Sequence, residues 1–285
     1  MRVSLSAIEL ILRWVDRATK LLLVAFLVAA CAPAREGPRA ASAEGPEQVQ
    51  VEVAHRHAEQ FDEELPARRA GSQQEEAAAA YVLGHLQRAG YVTRLEAVPV
   101  ADTVNSTDVI AVPPRGDDPA AVVAVPLDTG PNPSGGGTSI GIFLELARAL
   151  AAARPRHDVG FAALGAEHAP VDGGYLGTRR LARTLLDDGS HPLVLTLESL
   201  RRRGGGFGAV GSDGTSLVRR ARDLHVAVIS AASALEQGGA GLRGRAAVLR
   251  TARLDHVGVT GGTADVGRVL LSFLVDRTDA ASGGE

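Results

Sequence analysis

Four short runs of almost purely apolar residues constrain the fold more than any other feature of this chain. They are DVIAV at 108–112, AAVVAVP at 120–126, DVGFAAL at 158–164 and PLVLTLE at 192–198. A strand with one face in water alternates apolar and polar residues, whereas a strand covered on both faces is apolar throughout. The runs therefore predict the central strands of a sheet that is covered on both sides.

Segments with helical spacing of apolar residues stand between these runs. SQQEEAAAAYVLGHLQRAG has an acidic first turn and a terminal Gly90, which is typical of a helix. TSIGIFLELARALAAAR, YLGTRRLARTLL, TSLVRRARDL and the closing TADVGRVLLSFLVD have similar patterns, while VAVIS at 226–230 and AAVLR at 246–250 are typical of further strands. This alternation predicts an α/β fold, a three-layer sandwich with a mostly parallel mixed sheet flanked by helices.

The N-terminus has the pattern of a secretory signal. Basic residues precede the apolar run LLLVAFLVAA, which is short for a membrane span and stops at Cys31. The letters VAAC resemble a bacterial lipobox, in which the cysteine is acylated and becomes the new N-terminus. We expect an extracytoplasmic, membrane-anchored lipoprotein of the bacterial cell envelope, and a plain cleaved signal or an uncleaved anchor helix are the alternatives. Cys31 is the only cysteine, so no disulfide forms within the chain.

The composition of the rest of the chain indicates its division into segments and the classes of partner that it can bind. The segment after Cys31 lacks apolar periodicity and is typical of a flexible tether. We expect a signal at 1–31, a tether at 32–48, one folded domain at 49–278 and a disordered tail at 279–285. The net charge of -3 and the lack of a basic run interleaved with aromatics argue against nucleic acid. The expected partners are the membrane, through lipidated Cys31, and peptides or another envelope protein.

Acidic residues follow three of the predicted strands. Asp128 comes after AAVVAVP, Glu167 and His168 come after DVGFAAL, and Glu198 comes after PLVLTL. The carboxyl ends of parallel strands meet at one edge of a sheet, so these side chains are expected to converge as carboxylate-rich metal sites do. The ordinary alternative is that Asp128 caps a turn and the others are solvated loop residues.

The order of these segments resembles the secreted zinc-dependent aminopeptidase family, which includes glutamate carboxypeptidase-like and glutaminyl cyclase-like members. The likeness runs from about residue 55 to 275, through ARRAGSQQEEAAAAYVLGHLQRAGY, NSTDVIAV, TSIGIFLELARAL, FAALGAEHAPVDGGYLGTRRLA and TARLDHVGVTGGTADVGRVLLSFLV. The resemblance implies a zinc exopeptidase-like fold. It also implies that Glu167 is the general base, that His168 and Glu198 stand at metal-ligand positions, and that Asp128 orients a ligand.

The remaining positions of that metal site depart from the family pattern. Pro126 stands where the first ligand histidine is expected, and Gly135 and Gly136 stand where an Asp-Asn pair supplies the bridging carboxylate. Val248 falls near the position of the final histidine. Zinc sites need three or four protein ligands, and only His168 and Glu198 can still donate directly.

Two functional hypotheses follow. The first is a catalytically inactive or severely impaired pseudopeptidase, which holds no cofactor and acts as a membrane-anchored binding or scaffolding module. The second is an active metallo-exopeptidase with a remodelled site, in which one zinc ion is held by His168, Glu198 and a third ligand while Glu167 activates water. The first is favoured because the missing groups are those that the family's chemistry requires.

Overall fold

A seven-stranded mixed sheet lies at the centre of the molecule, with strand order β1-β2-β4-β3-β5-β7-β6. The computed structural model describes residues 48–114, 118–130, 136–153 and 158–282, and all of them belong to one compact unit. The strands are β1 Val92–Ala101, β2 Val104–Val112, β3 Ala121–Pro126, β4 Val159–Leu164, β5 Leu193–Leu197, β6 Gly208–Gly211 and β7 His256–Thr260. The neighbours β4, β3, β5 and β7 run parallel, and the outer pairings are antiparallel.

Seven helices cover the sheet within the described ranges. They are α1 Val51–Glu64, α2 Gln73–Arg88, α3 Gly137–Ala153, α4 Leu176–Asp187, α5 Gly214–Asp223, α6 Ala231–Thr251 and α7 Thr263–Ser282. Buried side chains of α1, α2, α3, α5 and α7 form a large core on one face of the sheet, while those of α4 and α6 form a smaller core on the other. The predicted three-layer α/β sandwich is confirmed.

Strand β3 shows why the central runs are apolar throughout. Val123 faces the larger core, whereas Val122 and Ala124 face the smaller one, because successive side chains of a strand point to opposite sides. Val123 lies between two neighbouring strands, in register with Phe161 and Leu195, and is fully buried. No position of β3 reaches solvent, so no position is polar.

Two strands expected from short apolar runs are corrected by the structure. The run at 226–230 contributes only an isolated bridge between Val228 and Phe207. The run at 246–250 lies inside α6, where Leu242, Arg245 and Leu249 are buried at helical spacing. A short apolar run is compatible both with a strand and with the buried face of a helix. Here the run belongs to a longer helical pattern that begins at Ala231, and the segment is helical.

The sheet topology brings the site residues together. Strands β3, β4 and β5 are parallel, so the loops that follow Pro126, Leu164 and Leu197 leave from the same edge of the sheet. Helix α6 crosses near that edge and contributes Arg245. None of the helices in the described part of the chain combines the length and apolar character that crossing a membrane requires.

Candidate active site

Asp128 joins the ends of two strands. It is buried, and its Oδ1 accepts a hydrogen bond from the backbone N–H of Glu167 at 3.0 Å. Its Oδ2 accepts from the backbone N–H of His168 at 2.9 Å, and the Nδ1 of His168 lies 3.3 Å from Oδ1. Asp128 therefore holds the loop after β4 and orients the partly exposed His168 ring.

Glu167 is enclosed by donors from the protein itself. Its Oε1 accepts from the backbone N–H of Thr178 at 2.7 Å, and the Thr178 hydroxyl lies 2.9 Å from Oε1 and 2.8 Å from Oε2. The Nε of Arg245 donates to Oε2 at 2.5 Å. The Glu167 side chain is 0% exposed, so both carboxylate oxygens face protein donors rather than water.

Arg245 links Glu167 to Glu198. Its Nη1 donates to Oε2 of Glu198, so one guanidinium group bridges the carboxylates that follow β4 and β5. The Arg245 side chain is 1% exposed and lies over the Tyr175 ring, with 5.7 Å between Cζ and the ring centroid. Because guanidinium has a fixed charge, it serves here as a permanent cation between two carboxylates.

Two glycines of α6 allow this helix to approach the site. A Cβ at Gly241 would lie 2.8 Å from Cδ of Glu198, and a Cβ at Gly244 would overlap the Tyr175 ring. The Tyr175 hydroxyl donates to the carbonyl of Ala240 at 2.8 Å. The spacing of glycines and arginine in GLRGR therefore places the guanidinium between the strand ends.

Two further carboxyls are buried behind Glu167. Glu75 accepts from the Ser106 hydroxyl at 2.5 Å and from the Gly71 N–H at 2.6 Å, and burial raises its pKa to about 7. Asp108 accepts from the Gly165 N–H at 2.7 Å. Burial raises the pKa of Asp108 well above its ordinary value, and the nearby Glu167 carboxylate adds to that rise. This side of the site thus carries less negative charge at neutral pH than two ordinary carboxyl groups would.

Arg68 connects the N-terminal helices to the loop of Asp128. Its Nε donates to the carbonyl of Leu127 at 2.9 Å, and its own carbonyl accepts from the N–H of Thr129 at 2.8 Å. Burial lowers the pKa of Arg68, while Asp62 and Asp128 act in the opposite direction. The start of the family-like stretch ARRAGSQQEEAAAAYVLGHLQRAGY therefore supports the Asp128 loop.

The residues at this edge do not fit a zinc ion. The guanidinium of Arg245 already neutralises Glu167 and Glu198 and would repel a second cation beside them, and Asp128 accepts bonds from two backbone N–H groups. His168 is the remaining candidate ligand. Among the residues that the structure describes, no group of three or more His, Cys, Asp or Glu side chains is arranged to hold a metal ion.

The structure also locates the positions at which ligands were expected to be lost. Pro126 is the buried last residue of β3, and Gly136 directly precedes α3 with φ of 99°. Gly135 lies outside the described residues. Val248 lies on α6, one turn after Arg245 and half-buried. His256, which begins β7, is buried.

Sequence reasoning missed Arg245, Thr178 and Tyr175. One signal for Arg245 was available: it shares the buried face of α6 with Leu242 and Leu249, at spacings of three and four residues. A charged residue on such a face needs a buried partner of opposite charge. The roles of Thr178 and Tyr175 depend on how α4 packs after the β4 loop, which carries no local sequence pattern.

Comparisons with known proteins support the fold. No protein-family model and no curated protein matches the sequence. Glutaminyl cyclase from Porphyromonas gingivalis superposes with a TM-score of 0.62 at 14% identity, covering 80% of this chain and 99% of that chain. A leucine aminopeptidase precursor from Bacteroides thetaiotaomicron has a TM-score of 0.59 at 14% identity, covering 81% and 98%.

A third solved structure agrees with these two. The Zn-dependent exopeptidase from Parabacteroides distasonis has a TM-score of 0.59 at 13% identity, covering 81% of this chain and 99% of that chain. The near-complete coverage of all three proteins shows that the likeness extends over a whole domain. The chain therefore has the fold of the zinc-dependent exopeptidases and glutaminyl cyclases.

Proposed function

We propose that this protein is a catalytically inactive relative of the zinc aminopeptidases that acts as a binding or scaffolding module. It is tethered to a membrane of the bacterial cell envelope through lipidated Cys31. Its partners are peptides or another envelope protein. The observation that carries the proposal is the contact of the Arg245 guanidinium with both Glu167 and Glu198.

This contact blocks the chemistry expected of Glu167. A general base must form a hydrogen bond with the water or group whose proton it takes. Glu167 instead accepts bonds from Thr178 and Arg245 and has no exposed side-chain surface. A proton acceptor without access to water cannot generate the nucleophile for peptide hydrolysis.

The same contact opposes metal binding. A divalent cation near Glu167 and Glu198 would have to displace a guanidinium that is buried and held by both carboxylates. It would also be repelled by that positive charge at short range, where a low dielectric strengthens the interaction. Arg245 therefore supplies the positive charge that such a pair of carboxylates needs, and it does so without Lewis-acid chemistry.

The competing function is a metallo-exopeptidase with a remodelled one-metal site that removes N-terminal residues from peptides. It requires Arg245 to leave both carboxylates and a third ligand to join His168 and Glu198. The two functions predict opposite results for metal content and turnover, so one set of measurements distinguishes them.

The test is made on the full chain, purified in detergent with excess zinc and then dialysed. We expect elemental mass spectrometry to find well under one equivalent of tightly held zinc per chain. We also expect no hydrolysis of aminoacyl anilides or dipeptides above background. One or more tightly bound zinc ions, with turnover that Glu167→Gln abolishes and the exposed control Glu76→Gln retains, would overturn the proposal.

A further inference from the structure

Strand β1 forms one edge of the sheet and is unusually long for such a position. It spans Val92–Ala101 and, within the described residues, pairs only with β2. The backbone N–H and C=O groups on its outer side are therefore available to another strand. Edge strands with these features are sites where a further chain can add to a sheet.

The regular part of this edge has a defined length. The register of β1 against β2 shifts between Pro99 and Ala101, and Pro99 has no N–H to donate. The uninterrupted segment therefore runs from residue 92 to 98. Its midpoint is Leu95.

Two exposed side chains of this segment are large and apolar. Val92 is 59% exposed and Leu95 is 56% exposed, and both are among the four large hydrophobic side chains that the described residues expose. A monomeric protein usually protects a long edge with lysines, prolines or an extra covering element. Here the apolar exposure lies at the centre and at the start of the regular segment.

The charges are arranged symmetrically about Leu95. Arg94 and Glu96 flank it, on the face of the strand opposite to its own side chain, and their side chains lie 2.7 Å apart within the chain. In an antiparallel pair with a two-fold axis at Leu95, Arg94 would lie opposite Glu96 of the second copy, and Glu96 opposite Arg94. Directly opposed side chains of unlike charge stabilise such a pair.

We propose that β1 pairs with β1 of a second copy of this chain, antiparallel and centred on Leu95, so that two sheets join into one. The two Leu95 side chains meet at the axis, two Arg94–Glu96 pairs form across the interface, and Val92 of each copy is in register with Val98 of the other, whose side chain is already buried in its own chain. The surface is self-complementary, as a two-fold interface must be. It involves no residue of the candidate active site.

A charge-reversal experiment tests this pairing. Sedimentation equilibrium of the full chain in detergent should show a dimer at about 100 µM, where a micromolar dissociation constant gives mostly dimer. Arg94→Glu alone and Glu96→Arg alone should each raise the dissociation constant at least about tenfold, because like charges then oppose each other twice. Arg219→Glu, a matched reversal at the opposite edge of the sheet on α5, should leave it unchanged.

Mixing the two variants separates an effect between chains from an effect within one chain. The Arg94→Glu strand carries two negative side chains beside Leu95 and the Glu96→Arg strand carries two positive ones. An equimolar mixture should therefore form a mixed dimer, visible by native mass spectrometry. An effect confined to the Arg94–Glu96 contact inside each chain would not be repaired by mixing. A wild-type monomer, or a dimer unaffected by either reversal, would overturn the proposal.

A second variant guards against misfolding. Glu96 also lies 3.4 Å from Arg180 and from the Thr184 hydroxyl on α4, so Glu96→Arg can disturb that helix. Leu95→Arg avoids this problem because the side chain is exposed and would face its own positive copy at the axis. It should be monomeric with the same circular dichroism spectrum and unfolding midpoint as the wild-type protein, and a dimeric Leu95→Arg variant would exclude the proposed axis.

Discussion

The Nε of Arg245 lies 2.5 Å from Oε2 of Glu167, and both side chains are almost completely buried. One partner comes from α6 and the other from the loop after β4, 78 residues apart in the chain. A buried ion pair is costly to desolvate, so its value lies mainly in what each charge would cost without its partner. The pair therefore holds α6 against the strand ends, and it keeps the Glu167 carboxylate bound to a cation from the protein itself.

Removal of the guanidinium should be strongly destabilising. Arg245→Met keeps much of the volume but leaves Glu167 buried without its counter-charge, so we expect unfolding to become easier by about 3 to 5 kcal/mol. The double variant with Glu167→Gln should recover part of that loss because no unpaired charge then remains at Glu167. Urea unfolding measures the free energy of unfolding of both variants. The control Arg250→Met, at an exposed position of the same helix, should change that free energy by less than about 0.5 kcal/mol.

The cavity left by a smaller side chain should accept a free cation of the same shape. Arg245→Ala removes the group that binds Glu167 and Glu198. Free guanidinium ion, added at about 10 mM, can re-form those bonds. We expect it to raise the melting temperature of the variant by about 2 to 4 °C and to leave the wild-type protein unchanged. Sodium chloride at the same concentration controls for ionic strength. An equal response of both proteins would contradict a site specific to guanidinium.

Glu75 should make the protein less stable as the pH rises toward neutrality. Burial raises the pKa of Glu75 from 4.5 to about 7, so the folded state keeps a proton that the unfolded chain releases. The stabilisation is complete below pH 4.5 and is lost as the pH rises through 7, about 3 kcal/mol in all. Glu75→Gln should remove this slope in urea unfolding between pH 5 and pH 8, and identical slopes for the two proteins would contradict it. Asp108, whose pKa is also raised, remains in both proteins, and the part of that rise that comes from the Glu75 charge disappears with Glu75→Gln and lowers the slope in the same direction.

A charge in the central strand should prevent stable folding. Val123→Asp places a carboxylate between Phe161 and Leu195, at a position with 0% exposure. An unpaired buried charge costs several kcal/mol, so the variant should be insoluble or should melt far below the wild-type protein. Leu186→Asp on α4, where the side chain is 41% exposed, is the matched control and should fold normally.

Lipidation of Cys31 should determine where the protein resides. The intact mass of protein extracted from membranes should correspond to a chain that begins at acylated Cys31, because VAAC resembles a lipobox and a lipobox would direct cleavage before the cysteine. Cys31→Ser should be released from the membrane or remain unprocessed. A chain that starts near Met1 with an unmodified cysteine would show that the segment is a different kind of signal or anchor.

The sequence by itself determined the fold class, because the signals involved are local. Continuous apolar runs identified β3, β4 and β5, and helical spacing identified α2, α3, α4, α5 and α7. The edge strands β1 and β6 were missed since half-exposed or glycine-rich strands lack the apolar signature. The position of α6 across the strand ends was missed for a different reason, because its short apolar run resembled a strand.

The sequence also located Asp128, Glu167, His168 and Glu198 at strand ends, and parallel topology brings three strand ends to one edge regardless of the details of packing. Only the tertiary structure decided what those residues contact. Arg245 reaches Glu167 from a helix far along the chain, and Gly241 and Gly244 determine how closely that helix approaches. Such contacts depend on side-chain volumes and helix placement in three dimensions, for which local periodicity carries no information.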